Sequence, residues 1–73
     1  MDRATAEQVE KIMADVIRQL DESVALVQTK CGPEEFHRYR RTVGKVMGEI
    51  FLDIQQPLYN QHPELTPPGL RRD

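Results

Sequence analysis

The sequence predicts an all-α protein, an antiparallel two-helix hairpin with an irregular proline-rich tail. Residues 5–31 contain neither Gly nor Pro, a Gly-Pro pair follows at positions 32 and 33, and four of the five prolines lie beyond position 56. The 73 residues allow one small domain. We therefore expect a hairpin over residues 1–56, with helices at about 5–31 and 33–56 and a turn at 32–33, and a tail over residues 57–73.

The first helix is predicted from its caps and its apolar repeat. Thr5 and Gln8 have the spacing of a capping box, and Gly32 is a residue that tolerates positive φ just beyond a helix end. A central seam repeats at alternating gaps of four and three, as in helices packed at a shallow angle. Its members are Val9, Met13, Val16, Leu20, Ser23 and Val27. Further apolar residues flank this seam, so the apolar arc covers about half of the helix.

The second helix is predicted to begin at Pro33, whose fixed φ suits a first helical position, and to end at Pro57. So short a connection makes the two helices antiparallel neighbours, with Val43 beside Leu20. Its apolar stripe consists of Phe36, Tyr39, Val43, Val46, Met47, Ile50, Phe51 and Ile54. Gly44 and Gly48 lie on one edge of the stripe, where they form either a smooth contact patch or only a weaker helix.

The tail has three interpretations. Its apolar residues can lie along the hairpin as a clasp, the terminus can fray, or the prolines can form a docking peptide. The apolar residues in question are Leu58, Tyr59, Leu65 and Leu70. The clasp is the favoured interpretation, because the prolines lack the spacing of a PxxP motif.

Composition excludes several functional classes. A net charge of −2 does not favour general polyanion binding, and the four aromatic residues, none of them Trp, offer little for base stacking. The apolar runs are too short for a membrane span, and the first residues do not resemble a signal peptide, so we expect a cytoplasmic protein. A single cysteine excludes an intrachain disulfide framework.

Catalytic and metal-binding patterns are weak. Cys31 and His37 are close in sequence, but a two-helix protein offers no cleft for a Cys–His nucleophile pair. Glu34 and His37 have the Glu-x-x-His spacing of di-iron bundles, yet both lie away from the apolar stripe. We therefore predict no catalytic residue, no cofactor and no metal site.

The width of both apolar arcs predicts a partner chain, because a hairpin this small buries only the faces that its helices turn to each other. We expect a twofold homodimer that forms a four-helix bundle, or a complex with a helical protein partner. The candidate interface residues are Ile12, Ile17, Val24, Leu26, Gly44, Gly48, Phe51 and Leu52. The function expected from this surface is that of a small non-enzymatic interaction or adaptor module.

Two alternatives come from other classes. Arg38, Arg41 and Lys45 fall on one outward face of the second helix and can follow a nucleic-acid backbone. Nucleic acid is nevertheless the less favoured partner, since the first helix is acidic. The third possibility is an enzyme with a composite site at the dimer interface. No sequence motif indicates such a site.

Overall fold

The computed structural model describes residues 1–70, and it confirms an all-helical chain with two long helices packed together. Helix α1 spans Arg3–Lys30 and helix α2 spans Pro33–Ile50, and they are joined by Cys31 and Gly32 alone. The described chain contains no strand. The molecule measures 44 × 22 × 19 Å, so it is little longer than the roughly 42 Å expected of α1's 28 residues.

The helix ends differ from prediction in two places. Asp2, rather than Thr5, caps α1, because its carboxylate accepts a hydrogen bond from the Thr5 backbone N–H at 3.1 Å. The same bond lowers the pKa of Asp2. Gly32 has φ −75° and caps the start of α2, so the expected positive φ was wrong. With Cys31 and Gly32 both extended, the turn needs no left-handed residue.

The predicted seam of α1 faces α2. All six of its residues are half-buried, and Val43 is the buried residue of α2. The single polar member, Ser23, has two partners, since its hydroxyl donates to the Leu20 carbonyl at 2.6 Å and accepts from the Tyr39 hydroxyl at 2.9 Å. The Tyr39–Ser23 bond fits the register in which Val43 lies beside Leu20, and it links the two helices at their polar position.

The helical path continues through Pro57, where the sequence predicted an end. A π-helical turn, Phe51–Gln55, follows α2 and leads directly into a short helix α3, Gln56–Gln61. In a regular α-helix the ring of Pro57 clashes with the carbonyl four residues earlier. In the wider π-helical turn, the Gln56 N–H donates to the Phe51 carbonyl. This turn accommodates Pro57, so the helical path continues into α3.

The tail folds back on the open end of the hairpin, as the clasp interpretation predicted. Leu58 and Tyr59 are buried against Ala6, and Val9, Phe51 and Leu65 pack around them. Two short 3₁₀ turns, Pro63–Leu65 and Pro68–Leu70, complete the described tail. Leu70 is 54% exposed and takes no part in the clasp. Residues 71–73 of the predicted tail lie outside the described residues.

Polar contacts join the tail to the first residues of the chain. A His62 ring nitrogen lies 3.0 Å from the Met1 carbonyl oxygen, and the Met1 ammonium donates to Gln61 at 3.3 Å. Arg3 forms an ion pair with Glu64 at 3.4 Å. The first residues of the chain and tail residues 58–65 are therefore held together by apolar packing, hydrogen bonds and an ion pair.

Candidate interaction surfaces

The hairpin has two sides, because each apolar arc extends beyond the seam in both directions. At about 100° per residue, Ile12 and Leu26 lie on one flank of the α1 seam, whereas Ile17 and Val24 lie on the other. Since α2 runs antiparallel, each flank of α1 is continued by a different flank of α2. The candidate residues must therefore be assigned to one side or the other.

We name the first surface the tyrosine side; it consists of Ile12, Leu26, Tyr39 and Val46. Ser23 lies on the same flank of α1 as Leu26, and its bond to Tyr39 anchors the assignment. The four residues are respectively 55%, 58%, 36% and 41% exposed. Ile12 and Leu26 are 14 positions apart, so this apolar surface runs for roughly 21 Å along the hairpin.

We name the second surface the glycine side; it consists of Ile17, Val24, Gly44 and Gly48. Ala6 lies on this flank as well, since it is five helical turns from Val24, and the tail packs against the side at Ala6 and Phe51. Ile17 and Val24 are half-buried. A Cβ added to Gly44 or Gly48 meets nothing within 4 Å, so both glycines face open space in the hairpin.

Seven of the eight predicted interface residues are thus divided between the two sides, and Leu52 lies on neither. Ile12 and Leu26 lie on the tyrosine side, Phe51 is at the tail-covered end of the glycine side, and Leu52 is 59% exposed on the outer surface of α2. The apolar arc of each helix predicts these residues, but it does not divide them by side. Tyr39 and Val46 belong to the predicted α2 stripe and not to the predicted interface set, and their positions relative to Val43 place them on the tyrosine side.

Several charged residues of α1 form ion pairs with one another, whereas the basic residues on the outer face of α2 form none within residues 1–70. Arg18 bridges Asp15 at 3.3 Å and Glu22 at 3.2 Å, and both contacts raise the pKa of Arg18. Arg38, Arg41 and Lys45, which were predicted as the nucleic-acid candidates, are all exposed. Within residues 1–70 these three form no ion pair, and they lie on the outer surface of α2.

The candidate chemical groups are not assembled into a site. A hydrogen bond with Glu35 and partial burial raise the pKa of the Cys31 thiol, which disfavours the nucleophilic thiolate. His37 and Glu34 are exposed. Across the described residues, no group of three or more His, Cys, Asp or Glu side chains is placed to hold a metal ion. The depression beside Pro33, Glu34 and Arg38 is open to solvent.

Comparisons with protein-family models, with curated proteins and with solved structures each find no match to this chain. No helix among the described residues has the length and apolar character needed to cross a membrane.

Proposed function

We propose that this chain is a small non-enzymatic protein–protein interaction module that acts through the sides of its helical hairpin. The observation that carries the proposal is the tyrosine side, where Ile12, Leu26, Tyr39 and Val46 are exposed together on one surface. Scattered apolar residues are normal on a protein surface, but an apolar stripe of this length along a two-helix groove is typical of a binding site.

The total surface area supports the same proposal. The chain exposes 5620 Å², whereas a compact protein of 8.5 kDa exposes roughly 4,650 Å² by the usual scaling of area with mass. The excess of roughly 1,000 Å² resembles the area of about 800 Å² that one partner buries in a standard protein interface. The excess is therefore large enough for at least one interface of standard size.

Self-association through the glycine side is part of the proposal. A twofold axis parallel to the helices places α1 of one hairpin against α2 of its partner, so that the open Gly44 and Gly48 admit a close backbone. Asp21 then lies at the level of Arg40 and Arg41 of the partner's α2, and these opposite charges favour the pairing. The product is a four-helix bundle.

Two substitutions at Gly48 test this arrangement. Gly48→Ala fits the hairpin and removes a helix-weakening glycine, so helix content and thermal stability should rise in the monomer. Gly48→Leu adds helix propensity too, but its longer side chain should weaken the dimer by at least about tenfold, measured by sedimentation equilibrium. If Gly48→Leu self-associates as well as the wild type, the glycine side is not the dimer contact.

The unpaired basic face of α2 favours one second candidate function, which is nucleic-acid binding through Arg38, Arg41 and Lys45. The expected signature is an affinity for mixed nucleic acid that falls steeply with salt, because backbone binding releases counterions. Replacing Arg38 and Lys45 by Gln, and keeping Arg41 because it lies at the dimer contact, should weaken such binding strongly and leave self-association unchanged. Absence of salt-sensitive binding by the wild type rejects this candidate.

A further inference from the structure

We propose that the tyrosine side docks one amphipathic partner helix whose apolar stripe is bordered by Lys or Arg. This inference rests on the proposed function as an interaction module, and it specifies the chemical character of the partner that binds the tyrosine side. The groove between α1 and α2 presents apolar residues from both helices, from Leu26 near the turn to Ile12 near the open end. Its length of roughly 21 Å matches a helix of about 14 residues, which completes a three-helix bundle.

The charges that border this groove favour a basic partner. Asp15 and Glu22 lie beyond Ile12 and Leu26 on α1, and Glu35 and Glu49 lie beyond Tyr39 and Val46 on α2. All four carboxylates are exposed. Both long edges of the groove therefore present carboxylates at the positions where a docked helix would place the side chains that border its apolar stripe.

Nearby cations offset only part of that charge. Arg18 pairs with both acids of α1, and Lys30 lies at the turn end of the same flank. Arg38 and Lys45 lie farther round α2, toward the outer surface, and Lys45 is one helical turn before Glu49. On the α2 edge, the Glu35 carboxylate is in a hydrogen bond with the Cys31 thiol. Neither Glu35 nor Glu49 forms an ion pair within the described chain. The α2 edge is therefore the one that should select basic residues most strongly.

A second copy of this chain fits the tyrosine side less well. In a twofold pairing through this side, the acidic edges of one hairpin meet acidic edges of the other, which is unfavourable for association. The glycine side lacks this conflict, because Asp21 on α1 is opposed by Arg40 and Arg41 on α2. Charge complementarity therefore assigns the tyrosine side to a basic partner helix.

The test uses three synthetic helical peptides of about 16 residues that share one Leu/Ile stripe and differ only in flanks of Lys, Gln or Glu. Fluorescence anisotropy with the full chain should show the Lys-flanked peptide binding at least about tenfold more tightly than the Glu-flanked one. Leu26→Ser should weaken that binding about tenfold. Leu52→Ser is the matched control, since Leu52 is equally exposed on the outer surface of α2, and should have no effect.

Two variants that each remove one negative charge test the acidic edge formed by α2. Glu49→Gln should weaken the Lys-flanked peptide by about two- to fivefold and leave the Gln-flanked peptide unchanged, as expected for one exposed charge. Glu34→Gln, on the outer surface of α2, is its control. The proposal is overturned if no peptide binds, if Lys and Glu flanks bind equally, or if Leu52→Ser acts as strongly as Leu26→Ser.

Sedimentation equilibrium on the same variants separates this inference from the proposed function. A dimer that dissociates with Leu26→Ser shows that a second copy occupies the tyrosine side, and it overturns the assignment to a basic helix. A chain that binds none of the peptides but still forms a Gly48-dependent dimer overturns the inference alone. A chain that binds no peptide and remains monomeric removes the proposed function as well.

Discussion

Tyr59 links the tail to the first helix through both its ring and its hydroxyl. The ring is buried beside Ala6 and Leu58, and the hydroxyl donates to the Glu10 carboxylate at 2.7 Å. Burial, together with this hydrogen bond to a negative group, raises the pKa of Tyr59 well above its usual value. The neutral phenol is therefore the form that the folded state requires.

Tyr59→Phe should lower the free energy of unfolding by about 1 kcal/mol at neutral pH, because it removes the hydrogen bond and keeps the buried ring. Chemical denaturation checks this value, and Glu10→Gln with the double variant gives the coupling between the two residues. Additive effects of the two substitutions would show that the pair contributes no coupling energy.

The same residue predicts a pH dependence. A folded pKa above the unfolded value near 10 gives stability that is fully present below pH 10 and is lost as pH rises beyond it. Wild-type stability should therefore fall more steeply than that of Tyr59→Phe above pH 10, by about 1.4 kcal/mol per pH unit. Parallel curves for the two proteins would contradict the bonded, protonated state of Tyr59.

Among the secondary-structure elements, the tail is the least regular part of the fold, yet it contributes strongly to the core. Of the four residues that are buried within residues 1–70, Leu58 and Tyr59 come from the tail, and Ala6 and Val43 come from the hairpin. Leu58→Ala should cost about 2–3 kcal/mol in denaturant unfolding, a large part of the stability of so small a domain. Leu70→Ala, at an exposed leucine of the same tail, should stay within about 0.5 kcal/mol. Equal effects would mean that the clasp does not stabilise the hairpin.

The helices and their seam were predictable from sequence, because apolar spacing and an uninterrupted run free of Gly and Pro determine them directly. The ends were less predictable. Asp2 and Thr5 are both good N-caps, and nothing local in the sequence decides between them. The sequence predicts a helix end at Pro57, whereas the π-helical turn before Pro57 allows the helical path to continue and places Leu58 against Ala6. That contact joins residues far apart in sequence, so only the folded chain shows it.

The two surfaces illustrate the same limit. Sequence periodicity identified most of the apolar residues, but the assignment of Ile12 and Tyr39 to one side depends on the handedness and register of the pair. The Tyr39–Ser23 hydrogen bond fixes that register. The predicted interface set stays a prediction, and the structure shows on which side of the hairpin each of its residues lies.

At the scale of the whole molecule, the hairpin is elongated and thinly packed. Its radius of gyration is 14.6 Å, whereas a compact chain of this length has roughly 11 Å. Among the described residues, no large side chain is fully buried. A shape of this kind has one layer of contact between two helices, and its stability should increase when another chain covers an open side.

Sedimentation equilibrium of the full chain at tens of micromolar is the most direct test of the central claim that another chain covers the hairpin. We expect a mass near twice the 8.5 kDa of the chain, with an apparent stability that rises with protein concentration. A single species of 8.5 kDa, equally stable at every concentration, would contradict self-association and leave the glycine side without the partner assigned to it.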